Sequence, residues 1–114
     1  MPNSNIFLEG NYAPIHEEHS LSLHQGLELV GKIPKNLIGS FYRNGPNPQF
    51  HPRNKYHWFF GDGMIHHFQF SKGNITYQNR YVHTPIYLRE KKSGKPLYTI
   101  TKNNFFARQR RRVP

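Results

Sequence analysis

Residues 56–83 constrain the fold more than any other part of the sequence, because short apolar segments there alternate with turn-forming residues. An aromatic segment over residues 56–60 and an apolar segment over residues 64–70 flank Gly61-Asp62-Gly63. This turn contains the Asp-Gly pair that tight β-hairpins prefer. A third segment, over residues 75–82, follows a second short turn. Three apolar segments joined by short turns predict a β-meander.

The side chains of these segments alternate, so each predicted strand has one more apolar face. Four residues of the second strand share a face: Met64, His66, Phe68 and Phe70. Four residues of the third strand form its packed face: Ile75, Tyr77, Asn79 and Tyr81. The opposite face of the third strand is expected to be the more solvent-exposed one, with Thr76, Gln78, Arg80 and Val82. A sheet this small is marginal unless another element covers its apolar face and its edges. The sequence therefore predicts one piece of a larger β architecture.

Length and composition exclude several classes of protein. A chain of 114 residues forms at most one small domain with a modest core. Cysteine is absent, which excludes disulfide scaffolds, thiolate zinc sites and cysteine nucleophiles. We find neither an apolar run long enough to span a membrane nor a secretory signal at the N-terminus, so we expect a cytoplasmic protein.

The net charge of +10 is concentrated near the C-terminus. Residues 90–114 contain eight basic residues and one acidic residue, whereas residues 1–89 contain eight basic and five acidic residues. Aromatic strands can stack bases, and an arginine-rich tail can bind phosphates. A small basic β-module that binds nucleic acid is therefore one functional alternative. We expect no specific nucleic acid partner, since packing explains the aromatic strand better.

Outside the meander, the sequence predicts three further regions. Residues 1–25 are polar without periodicity and predict an irregular lead-in. Ser40–Arg43 predicts a short strand that ends at Asn44-Gly45-Pro46, because proline removes a ladder donor. Residues 101–114 form a basic tail with neither periodicity nor turn chemistry, and we hypothesise that they are translated out of frame.

Three segments of the chain carry a family pattern. They are GKIPKNLIGSFYRNGPNP at residues 31–48, HWFFGDGMIH at residues 57–66 and YQNRYV at residues 77–82. Their order and spacing resemble those of the carotenoid cleavage oxygenases, which include stilbene-cleaving and retinoid-isomerising enzymes. The resemblance runs from about residue 9 to about residue 98. Phe60 departs from it, since the family has an aspartate there.

This resemblance implies an all-β fold, in which residues 26–100 form part of a seven-bladed β-propeller. The chain would supply the lead-in and the first blade, and the propeller would remain incomplete. Relatives of this kind use Fe(II), held by four histidines, and O2 to cleave a C=C bond of carotenoids, apocarotenoids or stilbenes. The longer form of such an enzyme is expected to contact a membrane surface when it takes up a lipophilic substrate. Relatives are several times longer than this chain, so we expect it to be a piece without activity of its own.

None of the histidines matches an iron-ligand motif of the family. The eight are His16, His19, His24, His51, His57, His66, His67 and His83. We interpret His66 as a structural strand position, and Asp62 as a turn residue rather than a catalytic acid. The sequence therefore assigns no catalytic, cofactor-binding or metal-ligating residue, and no cofactor is expected for this piece alone.

Overall fold

The computed structural model describes residues 5–52, 57 and 60–97. Its contacts divide the chain into two compact units. The sheet unit comprises His16–Gly45 and Gly63–Tyr81. The helix unit comprises Met1–Ile15, Pro46–Asp62 and Val82–Pro114. Each unit is described separately.

The sheet unit is built on five strands among the described residues. They are β1 (Ser20–Leu23), β2 (Gly26–Leu27), β3 (Gly39–Pro46), β4 (Gly63–Ser71) and β5 (Asn74–Tyr81). Their order across the sheet is β2-β1-β5-β4-β3. The chain is thus mostly β, as its sequence predicts.

The hairpin of β4 and β5 confirms the most detailed sequence prediction. The two strands are antiparallel from the Met64–Tyr81 pair to the Ser71–Asn74 pair. Lys72 and Gly73 turn the chain with φ angles of 51° and 80°, as a hairpin turn that matches the twist of its strands requires. The predicted alternation of β5 is also confirmed. Its odd-numbered side chains from Ile75 to Tyr81 are buried or half-buried, whereas Thr76, Gln78, Arg80 and Val82 are exposed.

The strand beside β4 differs from the prediction. That neighbour is β3, whereas a strand over residues 56–60 was expected there. Most of residues 56–60 lie outside the described residues. The two that are described, His57 and Phe60, form a turn in which the Phe60 amide donates to the His57 carbonyl at 2.9 Å. The predicted strand at Ser40–Arg43 is confirmed and continues to Pro46, since proline is tolerated at a strand end.

The lead-in also contains more structure than its composition predicts. Its Ser-Leu-Ser-Leu segment forms β1, which pairs antiparallel with β5 from Ser20–Gln78 to Ser22–Thr76. The short β2 follows a tight turn at His24, whose φ is 67°. Gly26 has a φ of 102° and packs so closely on Leu21 that a Cβ would lie 2.6 Å from its Cδ2 atom.

The helix unit contains two short 3-10 turns, Ile6–Leu8 and Gly10–Tyr12, and the helix α1 (Pro85–Ser93). The Thr84 side chain caps α1 by accepting from the Tyr87 amide at 3.1 Å, and the helix ends at Gly94 in the left-handed conformation. No helix within the described ranges is long and apolar enough to cross a membrane. Helix α1 was not predicted from the sequence.

Candidate functional site

A groove of about 380 Å³ lies in the sheet unit. Its lining residues come from β1 to β5: Leu21, Leu27, Phe41, Arg43, His66, Phe68 and Tyr77. The register explains this placement, because Leu21, Tyr77 and Phe68 are paired across β1, β5 and β4 and so share one face of the sheet. Phe68 packs on Tyr77 with ring centroids 4.8 Å apart, and on Phe41 at 6.3 Å.

The polar centre of the groove is a pair formed by His66 and Tyr77. The Tyr77 hydroxyl lies 2.6 Å from His66 Nδ1. Burial, and then the positive charge of Arg43, lower the pKa of His66 below its usual 6.5. Burial also raises the pKa of Tyr77 above 10.0. Both shifts favour the neutral forms of the two side chains, between which either group can be the hydrogen-bond donor, depending on the imidazole tautomer.

Arg43 brings the only charge among the groove-lining side chains. Within the described part of the chain, no carboxylate lies within ion-pair distance of its guanidinium. The groove therefore combines apolar walls, a neutral histidine–tyrosine pair and one unneutralised cation. Such a surface suits an apolar group that carries a carboxylate.

The other histidines are dispersed, and the described ones make local contacts. His67 is on the opposite side of β4 from His66, where its ring stacks on Tyr42 at 4.4 Å and its Nε2 atom lies 3.0 Å from Ser40 Oγ. His19 Nε2 lies 3.8 Å from the Glu17 carboxylate. The remaining positions are His57 against Phe7, His83 against Tyr87, and the exposed His16, His24 and His51.

These residues do not fit an iron site. Among the described residues, no three histidine, cysteine, aspartate or glutamate side chains cluster closely enough to hold a metal ion. Iron(II) with open positions for O2 needs several imidazole or carboxylate ligands. No step through iron can therefore be derived from this part of the chain. The absence of metal ligands from the whole chain stays a prediction.

Asp62 serves as a loop anchor in the helix unit. Its Oδ2 atom accepts from the Gln49 amide at 3.0 Å, and its carbonyl accepts from the Asn47 amide at 2.6 Å. These contacts hold the chain that leads into β4. The interpretation that Asp62 is a turn residue and not a catalytic acid stays a prediction.

Two buried asparagines, which the sequence did not single out as anchors, bind the backbone of the lead-in. In the sheet unit, Asn79 is fully buried, and its Oδ1 atom accepts from the His19 amide at 2.5 Å while its Nδ2 atom donates to the Glu17 carbonyl at 2.8 Å. In the helix unit, Asn47 forms the same kind of pair with the amide and carbonyl of Ile15, at 2.7 and 2.9 Å. The Asn-Arg-Tyr and Asn-Pro motifs of the sequence contain these two residues, but their pairing partners are distant in sequence.

Comparison with known proteins places the fold among oxygenases. The family model described as RPE65, retinal pigment epithelial membrane protein, matches residues 12–113. A probable carotenoid cleavage dioxygenase 4 from the chloroplast of Arabidopsis thaliana is 43% identical over 91 residues, which are 79% of this chain and 15% of the plant protein.

Solved structures of two oxygenases are also similar to this chain. The crystal structure of Pseudomonas brassicacearum lignostilbene dioxygenase matches with a TM-score of 0.76 and 30% identity, over 87% of this chain and 20% of that enzyme. Cobalt-substituted apocarotenoid oxygenase of Synechocystis matches with a TM-score of 0.65 and 33% identity, over 75% of this chain and 18% of that enzyme.

The extent of these matches differs from the sequence prediction in one respect. This chain spans between 15% and 20% of the length of these three relatives. The family match, however, continues to residue 113, beyond the limit near residue 98 that the motifs suggested. The matched range thus includes most of the basic tail. Out-of-frame translation of residues 101–114 stays a hypothesis.

Proposed function

This chain belongs to the RPE65 family of carotenoid cleavage oxygenases, and on that premise we propose that it is the N-terminal part of a non-haem iron(II) dioxygenase. The complete enzyme cleaves a C=C bond of a carotenoid, an apocarotenoid or a stilbene with O2. The chain supplies the lead-in and first blade of a seven-bladed propeller, and has no activity by itself.

One observation carries this proposal. The structure of this chain matches that of lignostilbene dioxygenase over 87% of this chain, yet the match covers 20% of that enzyme. The names of the relatives point to polyene and stilbene substrates. The role of these residues is therefore that of a scaffold, in which β3, β4, β5 and β1 form one sheet and the buried Asn79 holds part of the lead-in against it.

A covalent chimera tests the proposal. The matching segment of the Pseudomonas brassicacearum lignostilbene dioxygenase is replaced by this chain, and the purified chimera is compared with the 114-residue chain alone. Iron content is measured by mass spectrometry, and cleavage of a hydroxylated stilbene is measured by aldehyde release. We expect the chimera to bind iron and cleave the stilbene, and the chain alone to do neither.

Two results would contradict the proposal. Stoichiometric iron or stilbene cleavage in the isolated chain would show that the ligand set is complete within it. A well-folded chimera without iron and without cleavage would show that this sequence cannot replace the corresponding part of the enzyme. The nucleic-acid alternative makes a different prediction, namely salt-sensitive RNA binding by the isolated chain that survives removal of residues 108–114.

A further inference from the structure

The two faces of the sheet differ sharply in polarity. On the groove face, Leu21, Tyr77 and Phe68 form an apolar row across three strands. On the opposite face, the equivalent rows are polar, as the register pairs show: Ser20, Gln78 and His67 in one row, and Ser22, Thr76 and Gln69 in the next. An apolar face of this kind is a docking surface when nothing covers it.

We propose that the groove face docks a second apolar β-segment, which belongs to the same longer protein and places a carboxylate side chain against Arg43. This inference rests on the proposed function, because the segment comes from the part of the enzyme that these 114 residues do not span. It goes further in assigning the face, the polarity of the partner and the charge that the partner carries.

The charge of the groove selects this occupant. Arg43 has no carboxylate partner within the described ranges, and the adjacent His66–Tyr77 pair contains no carboxylate. If apolar residues alone covered the groove, the Arg43 guanidinium would lose its water and gain no partner, which costs free energy. A carboxylate paired with the guanidinium offsets this desolvation cost. A second copy of this chain is a poor occupant, because it would bring another Arg43 and a second net charge of +10.

Neighbouring residues of β3 offer a matched pair of variants. Phe41 lines the groove and is 55% exposed, whereas Tyr42 stacks on His67 at the opposite face and is 65% exposed. Both are aromatic and both can be replaced by glutamine. Docking through the groove predicts that only the Phe41→Gln variant loses affinity, although Tyr42 is the more exposed of the two.

The experiment uses complementation in trans. Lignostilbene dioxygenase that lacks the segment matching this chain is mixed with the complete 114-residue chain, and the dissociation constant is measured by calorimetry. We expect a saturable complex that Phe41→Gln weakens roughly tenfold or more, and Tyr42→Gln by less than about threefold. Arg43→Glu is expected to weaken it similarly, whereas the charge-matched control Lys32→Glu is not. Circular dichroism confirms that each variant retains the fold of the wild-type chain.

Each other outcome overturns the inference. These outcomes are the absence of a complex, equal losses for Phe41→Gln and Tyr42→Gln, and equal losses for Arg43→Glu and Lys32→Glu. Failure of the proposed function is distinguishable, since it appears as a folded but inactive covalent chimera. If the chimera is active but the substitutions in the groove do not weaken the complex, only the docking face is rejected. If the chimera is inactive but the Phe41 and Arg43 variants bind more weakly than their controls, only the catalytic assignment is rejected.

Discussion

Replacement of Asn79 by alanine should weaken the attachment of the lead-in to β5. The Asn79 side chain is fully buried and makes two hydrogen bonds to the backbone of the lead-in, at 2.5 Å with the His19 amide and at 2.8 Å with the Glu17 carbonyl. Its Nδ2 atom also lies 3.5 Å from the sulfur of Met64, the fully buried apolar side chain of this unit. Alanine removes all three contacts and retains the backbone of β5.

The expected loss follows from the hydrogen bonds and the groups left behind. Each bond contributes on the order of 1 kcal/mol, and a buried partner left unsatisfied costs roughly 1–3 kcal/mol. The His19 amide and Glu17 carbonyl are only part-buried, so water can replace some of what is lost. We therefore expect Asn79→Ala to lower the free energy of unfolding by about 2–4 kcal/mol, which is a large share of the stability of a small domain.

Urea unfolding followed by circular dichroism measures this loss. Trimethylamine oxide is added to both samples, because it favours compact states and extends the folded baseline. Gln78→Ala is the matched control, since Gln78 is the neighbouring residue on the exposed face of β5 and should change stability by no more than about 0.5 kcal/mol. A loss below about 0.5 kcal/mol for Asn79→Ala, or an equal loss for both variants, would refute the anchoring role.

Two further predictions concern the groove and the edge of the sheet. Since the pKa of His66 is lowered in the folded state, the unfolded chain binds the proton more tightly, and the free energy of unfolding should fall as the pH drops below 6.5. Urea titrations between about pH 5 and 8 should show this slope in the wild-type chain and a flatter one in His66→Gln, and identical slopes would contradict the assignment. Gly26→Ala should destabilise the chain by roughly 1–3 kcal/mol, because the new Cβ would lie 2.6 Å from Leu21 Cδ2. Thermal melts of both variants measure this loss. Gly31→Ala, at a similar φ of 93° but in open space, gives the cost of backbone strain alone, so equal losses for the two variants would show that the clash with Leu21 contributes nothing.

Local signals in the sequence predicted the parts of the fold that form from neighbouring residues. The hairpin of β4 and β5 has turn residues at Lys72-Gly73 and strict alternation along Ile75–Tyr81, so both its turn and its faces could be predicted. Helix α1 also has local signals, namely Thr84-Pro85 at its start and Gly94 at its end. The charged residues that fill the second half of α1 mask these signals.

Parts of the fold that depend on distant pairing could not be predicted from local patterns. The strand β1 has a short Ser-Leu-Ser-Leu alternation, but its place in the sheet depends on β5, far along the chain. The groove depends on the same register, which aligns Leu21 with Tyr77 and Phe68. Without that register, His66 could be placed on a strand but not beside a phenol and an arginine. The family motifs indicated the kind of enzyme and left this surface unidentified.

The balance of buried and exposed side chains in the sheet unit links folding to docking. Met64 is the buried apolar side chain among the described residues of this unit, while Phe41 in the groove remains more than half exposed. Burial of apolar surface is the main favourable term in folding, so a sheet with one uncovered apolar face gains little of it. A partner that covers the groove binds the folded sheet and not the unfolded chain, and therefore stabilises the fold by mass action. The affinity of the groove for its partner and the stability of the sheet should then change together. Because Asn79 anchors the lead-in and so stabilises the sheet, Asn79→Ala should weaken docking as well as folding.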